Sequence, residues 1–182
     1  MIKYLYILII FFFNINSNAN NKENIINNLK NTKNFNFDFE QYINKKLEKG
    51  NCIIEYPKKI YCEYTGEKNK ILVSNGKSLV IKTQVGYYRY PIDKTPLNLI
   101  LDKSFLINKI YKLEERIVDS SLINYTINEN DLEINIFFDD KTFNLIGWQT
   151  KDMYQNLNIT FLSSIKTNEI YDKNIFRLPI QN

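Results

Sequence analysis

The sequence contains no histidine, which removes much of the chemistry open to a chain of 182 residues. Ser-His-Asp and Cys-His nucleophilic arrangements are excluded, and so are the usual zinc sites. Glycine is scarce, at five residues, and there is neither a Gly-rich phosphate loop nor a Gly-x-Ser-x-Gly turn. The acidic pairs Glu114-Glu115 and Asp139-Asp140 read as solvated charge on a helix surface and in a turn. No catalytic residue, metal or cofactor is therefore expected, and the chain does not read as an enzyme. Charge of one sign is also lacking: a formal net charge of +4 is weakly basic and makes no case for nucleic acid.

Long apolar runs are missing except at the start. "MIKYLYILIIFFFNINSNAN" has a basic residue (Lys3), an apolar run from Tyr4 to Phe13, and Ser17-Asn18-Ala19 at its end. That is the layout of a secretory signal peptide covering residues 1–19, cleaved after Ala19; an uncleaved anchor is the alternative. No cysteine lies just after the cleavage point, so the mature chain, 20–182, is expected as one exported, soluble domain rather than a lipoprotein.

Cysteine is rare too. Cys52 and Cys62 are the only two, and they straddle Pro57 symmetrically. In an exported protein, thiols facing each other across a turn read as a structural disulfide, with two reduced core cysteines as the alternative. The spacing is nothing like Cys-x-x-Cys, so a redox role is not expected. Closing so short a loop would contribute roughly 2–3 kcal/mol.

What the chain does have is aromatics, 13 Tyr and 12 Phe. Residues 22–33 read as a helix with Ile25, Ile26 and Leu29 on one face, after which the period switches to two. In "FNFDFEQYI", Phe35, Phe37 and Phe39 share a face opposite Asn36, Asp38 and Glu40. Gly50 is expected to open a second strand, Pro57-Lys58-Lys59 to turn it, and "IYCEY" to return. Cys52, Ile54 and Tyr56 would then share the inward face with Ile60, Cys62 and Tyr64. "ILVSNGKSLVI" reads as a hairpin around Asn75-Gly76.

Thr95-Pro96 predicts a helix start, with the hydroxyl as N-cap and proline in the first turn. Leu97, Ile100 and Leu101 follow at helical spacing, and a second helix is expected over 104–114. Strands near 122–127, 132–138, 143–151 and 157–163 complete a meander. The whole reads as a mainly β (α+β) domain, one antiparallel sheet interrupted twice by helix. Asn124-Tyr125-Thr126 and Asn158-Ile159-Thr160 match the glycosylation pattern, as chance allows in so Asn-rich a chain.

Several segments, in order, resemble the LolA-type periplasmic lipoprotein carriers. "FNFDFEQ" resembles the family's first strand, with Gln41 six residues after Phe35. "GNCIIEYPKKIYCEY" is similar to its second hairpin, "ILVSNGKSLVI" to its most regular one, and "KTPLNLIL" to its Thr-Pro helix. "LIGWQTKDMYQNLNITFLSSIKTNEIYDKNIFRLP" resembles the closing strands, with Trp148, Asp152, Asn168, Phe176 and Pro179 in place.

The resemblance implies an unclosed antiparallel β-barrel with a helical lid over an apolar cavity. It implies an acyl-chain wall of Phe35, Phe37, Phe39, Ile54, Tyr56, Ile60 and Tyr64. Leu97, Ile100 and Leu101 would form the lid, with the N-terminal helix as another part of it. The implied partners are acylated lipoproteins, an inner-membrane ABC-type lipoprotein release complex, and an outer-membrane acceptor or the outer membrane itself. The protein is expected as a periplasmic monomer. An exported lipid-binding module not dedicated to lipoprotein sorting and a structural or adhesive β-domain are the rival readings. One departure stands out: the family commonly places Arg before the hairpin proline to hold the lid closed, and this sequence has Tyr56.

Overall fold

A computed structural model describes residues 21–66, 70–119, 121–129, 131–151 and 155–181. The expected leader, and Asp152 of the closing motif, lie outside the described residues. The chain opens with α1 (Asn21–Asn31) and six strands: β1 (Asn34–Ile43), β2 (Lys46–Glu55), β3 (Lys59–Thr65), β4 (Ile71–Asn75), β5 (Ser78–Lys82) and β6 (Tyr87–Pro91). A 3₁₀ turn (Ile92–Lys94) leads into α2 (Leu97–Ile100) and α3 (Lys103–Lys112). Five strands follow: β7 (Arg116–Val118), β8 (Leu122–Glu129), β9 (Leu132–Asp139), β10 (Leu145–Lys151) and β11 (Leu157–Thr167).

Among the described residues, the eleven strands form one sheet in the order β6-β5-β4-β3-β2-β1-β11-β10-β9-β8-β7. Each neighbour is the next strand in sequence except at the centre, where β1 pairs antiparallel with β11. The edge strands β6 and β7 are not paired with each other, so the barrel stays open. The chain between them carries α2 and α3.

The period-two pattern explains the curl. Phe35, Phe37 and Phe39 are buried, and the register sets Phe37 opposite Cys52 and Phe35 opposite Ile54. Cys52 in turn faces Cys62, and Ile54 faces Ile60. A sheet with one apolar face this long must bend round its own side chains and be covered. α1 and α3 pack against each other, sinking Ile25, Ile26 and Leu29 from one and Leu106 and Ile110 from the other. On the outer face, the chain after β11 returns: a 3₁₀ turn (Lys173–Phe176) touches β3 and β4, and the Tyr87 hydroxyl donates to the Pro179 carbonyl at 3.2 Å.

Local details depart from the sequence expectations. β2 begins at Lys46, four residues before Gly50, because its ladder with β1 runs to the end of that strand. β7 was not expected; it is three residues long and mostly exposed, so no alternation marks it. The Thr95 hydroxyl does not cap α2 but donates backwards to the Ile92 carbonyl at 2.8 Å, and Pro96 holds the N-cap position. Neither glycosylation match is a surface site: Asn124 is 2% exposed, and Asn158 borders an internal cavity.

Candidate functional site

Between the lid and the concave face of the sheet lies a cavity of about 320 Å³. Its wall is built from inward positions of successive strands: Phe37 and Phe39 of β1, Cys52 of β2, Ile60, Cys62 and Tyr64 of β3, Leu79 and Ile81 of β5. Trp148 and Thr160, opposite each other on β10 and β11, close one side, and Leu97 and Ile100 of α2 form the roof. Sulfur joins the aromatics here, since Cys52 and Cys62 form a disulfide with Cα atoms 4.1 Å apart.

Gly50 shapes this wall. It sits opposite both Phe39 and Tyr64, whose rings meet edge to face at 5.1 Å. A Cβ added at Gly50 would lie 2.0 Å from the Glu63 carbonyl oxygen and 2.7 Å from the Phe39 ring. Gly50→Ala is therefore expected to force the strands apart and cost about 1–3 kcal/mol. A urea denaturation midpoint measures it; an unchanged midpoint would mean the ladder relaxes freely.

One end of the cavity is polar. Gln41, Glu48, Lys70, Lys151 and Asn158 border it, at the ends of β1, β2, β10 and β11 and the start of β4. Burial would raise the Glu48 carboxyl, but hydrogen bonds and charge from Lys46 and Lys70, each at 2.7 Å, outweigh it and hold the group below the usual carboxylate range. Lys70 also lies 4.1 Å over the Tyr64 ring. This ion cluster makes one end of an otherwise apolar wall polar.

The expected wall and lid residues separate into two sets. Phe37, Phe39, Ile60, Tyr64, Leu97 and Ile100 border the cavity. Phe35, Ile54, Tyr56 and Leu101 do not: Ile54 and Leu101 are fully buried in solid core, and Phe35 and Tyr56 line a separate hollow of about 20 Å³ beneath α1. The division has a plain cause. All share the concave side, but α1 and α3 fill the end where Phe35 and Ile54 sit, leaving space only under α2. α1 itself does not border the cavity, so it is not a second part of the roof. Residues that the sequence reading missed, Leu72, Leu79, Ile81, Trp148 and Thr160, continue the same alternation along later strands.

The lid is held shut without arginine. The Lys58 backbone N–H donates to the Leu101 carbonyl at 2.9 Å, and Lys58 Nζ lies 3.5 Å from the Asp102 carboxylate. Asp102 in turn caps α3 by accepting from the Phe105 N–H at 3.0 Å. Tyr56 packs its ring against Phe35 at 5.9 Å, and burial pushes its phenol well above the ordinary tyrosine range. The part expected of the residue before the proline has thus moved to the main chain just after it.

A family model described as "Outer membrane lipoprotein carrier protein LolA" matches residues 30–179. The chain belongs to the LolA family. Solved structures are similar to it at low identity. An uncharacterized conserved protein from Thermus thermophilus is 6% identical, with TM-score 0.52 over 88% of this chain and 94% of that one. The LolA superfamily protein NE2245 from Nitrosomonas europaea is 7% identical, with TM-score 0.43 over 86% and 97%. LprF from Mycobacterium bovis is 12% identical, with TM-score 0.45 over 84% and 95%. Among curated proteins no match is found. LolA proteins form a carrier family rather than an enzyme family. Among the described residues no helix is long and apolar enough to cross a membrane.

Proposed function

We propose that this LolA-family chain is exported, loses its leader, and carries acylated lipoproteins across the periplasm with their acyl chains in the cavity under α2. The observation that carries the reading is the cavity itself, an apolar wall with a helical roof and a polar end. In this reading cargo comes from an inner-membrane ABC-type release complex and goes to an outer-membrane acceptor or the outer membrane itself.

The energetics require such a device. At about 0.8 kcal/mol per methylene, exposing three chains of about 16 carbons to water costs roughly 35–40 kcal/mol. A methylene takes up about as much room as a water molecule, ~30 Å³, so the cavity of about 320 Å³ holds on the order of ten. The roof must therefore lift for cargo, and lid and ligand compete for the same wall. The small closed volume favours one second reading, a carrier of single-chain lipids outside lipoprotein sorting. Mass spectrometry of what co-purifies from a periplasmic extract separates the two.

The direct test is titration with a fluorescent fatty acid, comparing wild type with Leu97→Ala/Ile100→Ala. Truncating both roof residues is expected to lower the melting temperature of the empty protein, at about 2–5 kcal/mol per buried aliphatic in a rigid site and less where the lid relaxes. Probe uptake should be equal or faster. Loss of stability and binding together would show that α2 is ordinary core and overturn its assignment as lid. No probe binding by wild type would overturn the carrier reading.

A further inference from the structure

We propose that the convex face beside the polar end of the cavity docks on an anionic lipid bilayer. Tyr42, Leu47, Leu157 and Phe161 are each 40–43% exposed there, and they lie together rather than singly. They form one surface. Tyr42 stands opposite Leu47 on β2 and Ile159 on β11, and Phe161, further along β11, stacks on Phe137 with ring centres 6.3 Å apart. Tyr42, Leu157 and Ile159 also border a shallow hollow with Asn44 and Lys45.

Position and charge name the occupant. The same strand ends that carry this patch outward carry Gln41, Ile43 and Asn158 inward to the cavity. Lys45, Lys46, Lys49 and Lys151 are exposed at these strand ends, where Glu40 pairs with Lys49, and Glu48, turned to the cavity, pairs with Lys46 and Lys70. Tyrosine and aliphatics flanked by lysine match the membrane interface, where apolar tips enter and ammonium groups meet lipid phosphates. Strand addition by a protein partner does not fit, because β1, β2 and β11 are interior strands with both edges paired. The docking rests on the carrier reading only for its purpose, which is to bring the cavity's polar end against a bilayer.

The experiment is flotation of the mature protein with vesicles of phosphatidylcholine mixed with phosphatidylglycerol, against pure phosphatidylcholine, for wild type and Leu47→Glu/Leu157→Glu. Both substituted side chains are solvent-exposed and neither borders the cavity, so the variant should fold and bind a fluorescent fatty acid in solution as wild type does. Wild type should float with the anionic vesicles, more weakly with the neutral ones and at high salt, and the double variant about tenfold less. Equal flotation of the two proteins, or none of wild type, would overturn the proposal. A concentration-dependent dimer that the double substitution abolishes, without vesicle binding, would also overturn it by making the patch a contact between copies. Vesicle binding without fatty-acid binding by wild type would leave the docking standing and strike only the carrier reading.

Discussion

Replacing Phe37 with glutamate is expected to reduce acyl-probe affinity at neutral pH by roughly two orders of magnitude, about 3 kcal/mol, and acidification is expected to restore part of it. Phe37 is 1% exposed, borders the cavity, and stacks on Phe35 with ring centres 5.2 Å apart. A carboxylate there has no cation on the apolar stretch of wall, and acyl chains cannot hydrate it. Burial would raise its pKa above the unfolded value. The penalty is thus present at pH above that raised pKa and fades as pH falls through it. Probe titration at neutral and mildly acidic pH reads both effects, and Phe37→Leu, which stays apolar, controls for volume. Unchanged affinity in a folded Phe37→Glu protein would mean that acyl chains do not touch β1.

Cys62→Ser should produce the largest stability loss among the single changes considered. Cys52 and Cys62 are directly opposite in the β2–β3 ladder and each is 4% exposed. Cutting the cross-link returns roughly 2–3 kcal/mol of chain entropy to the unfolded state, and the serine hydroxyl adds a polar group to an apolar wall. At about 2–4 °C per kcal/mol for a chain of this size, the melting temperature should drop by roughly 4–12 °C from the cross-link alone. Acyl affinity should change little, because the wall's shape rests on its aromatics. Thiol labelling of the unreduced native protein should find none free; labelling of both would refute the disulfide in the exported protein.

How much of this was legible in the sequence depended on how far local pattern controls position. The alternation of Phe35, Phe37 and Phe39, the facing cysteines and the Asn75-Gly76 hairpin are local, and each strand or turn follows from it. Tyr56 keeps the inward side, against Phe35, but lies at the end of β2 that α1 covers, so it lines the small hollow there and not the cavity. Leu101 continues the spacing of α2 but sits at its C-cap, sunk in core. Thr95 has a capping hydroxyl, yet the preceding 3₁₀ turn offers it the nearer Ile92 carbonyl. The division of one inward face into cavity and solid core was not legible at all. It is set by where α1 and α3 come to rest, and no single strand carries that information.

The strand order has a consequence for how the chain folds. Every ladder but one joins consecutive strands, so the arms β1–β6 and β7–β11 can each zip from local hairpins. Only β1–β11 joins the ends of the sequence, pairing Phe35 with Thr167. That seam must wait for the closure of a very long loop, whose entropy is lost before its contacts form, so it is expected to be the last ladder to form. The two arms rejoin a second time across the open side, through the segment that carries α2. The cavity roof is thus a covalent tether between the free edges. A barrel that closed β6 onto β7 would gain a ladder and lose the tether's slack, and with it the freedom to exchange what it holds.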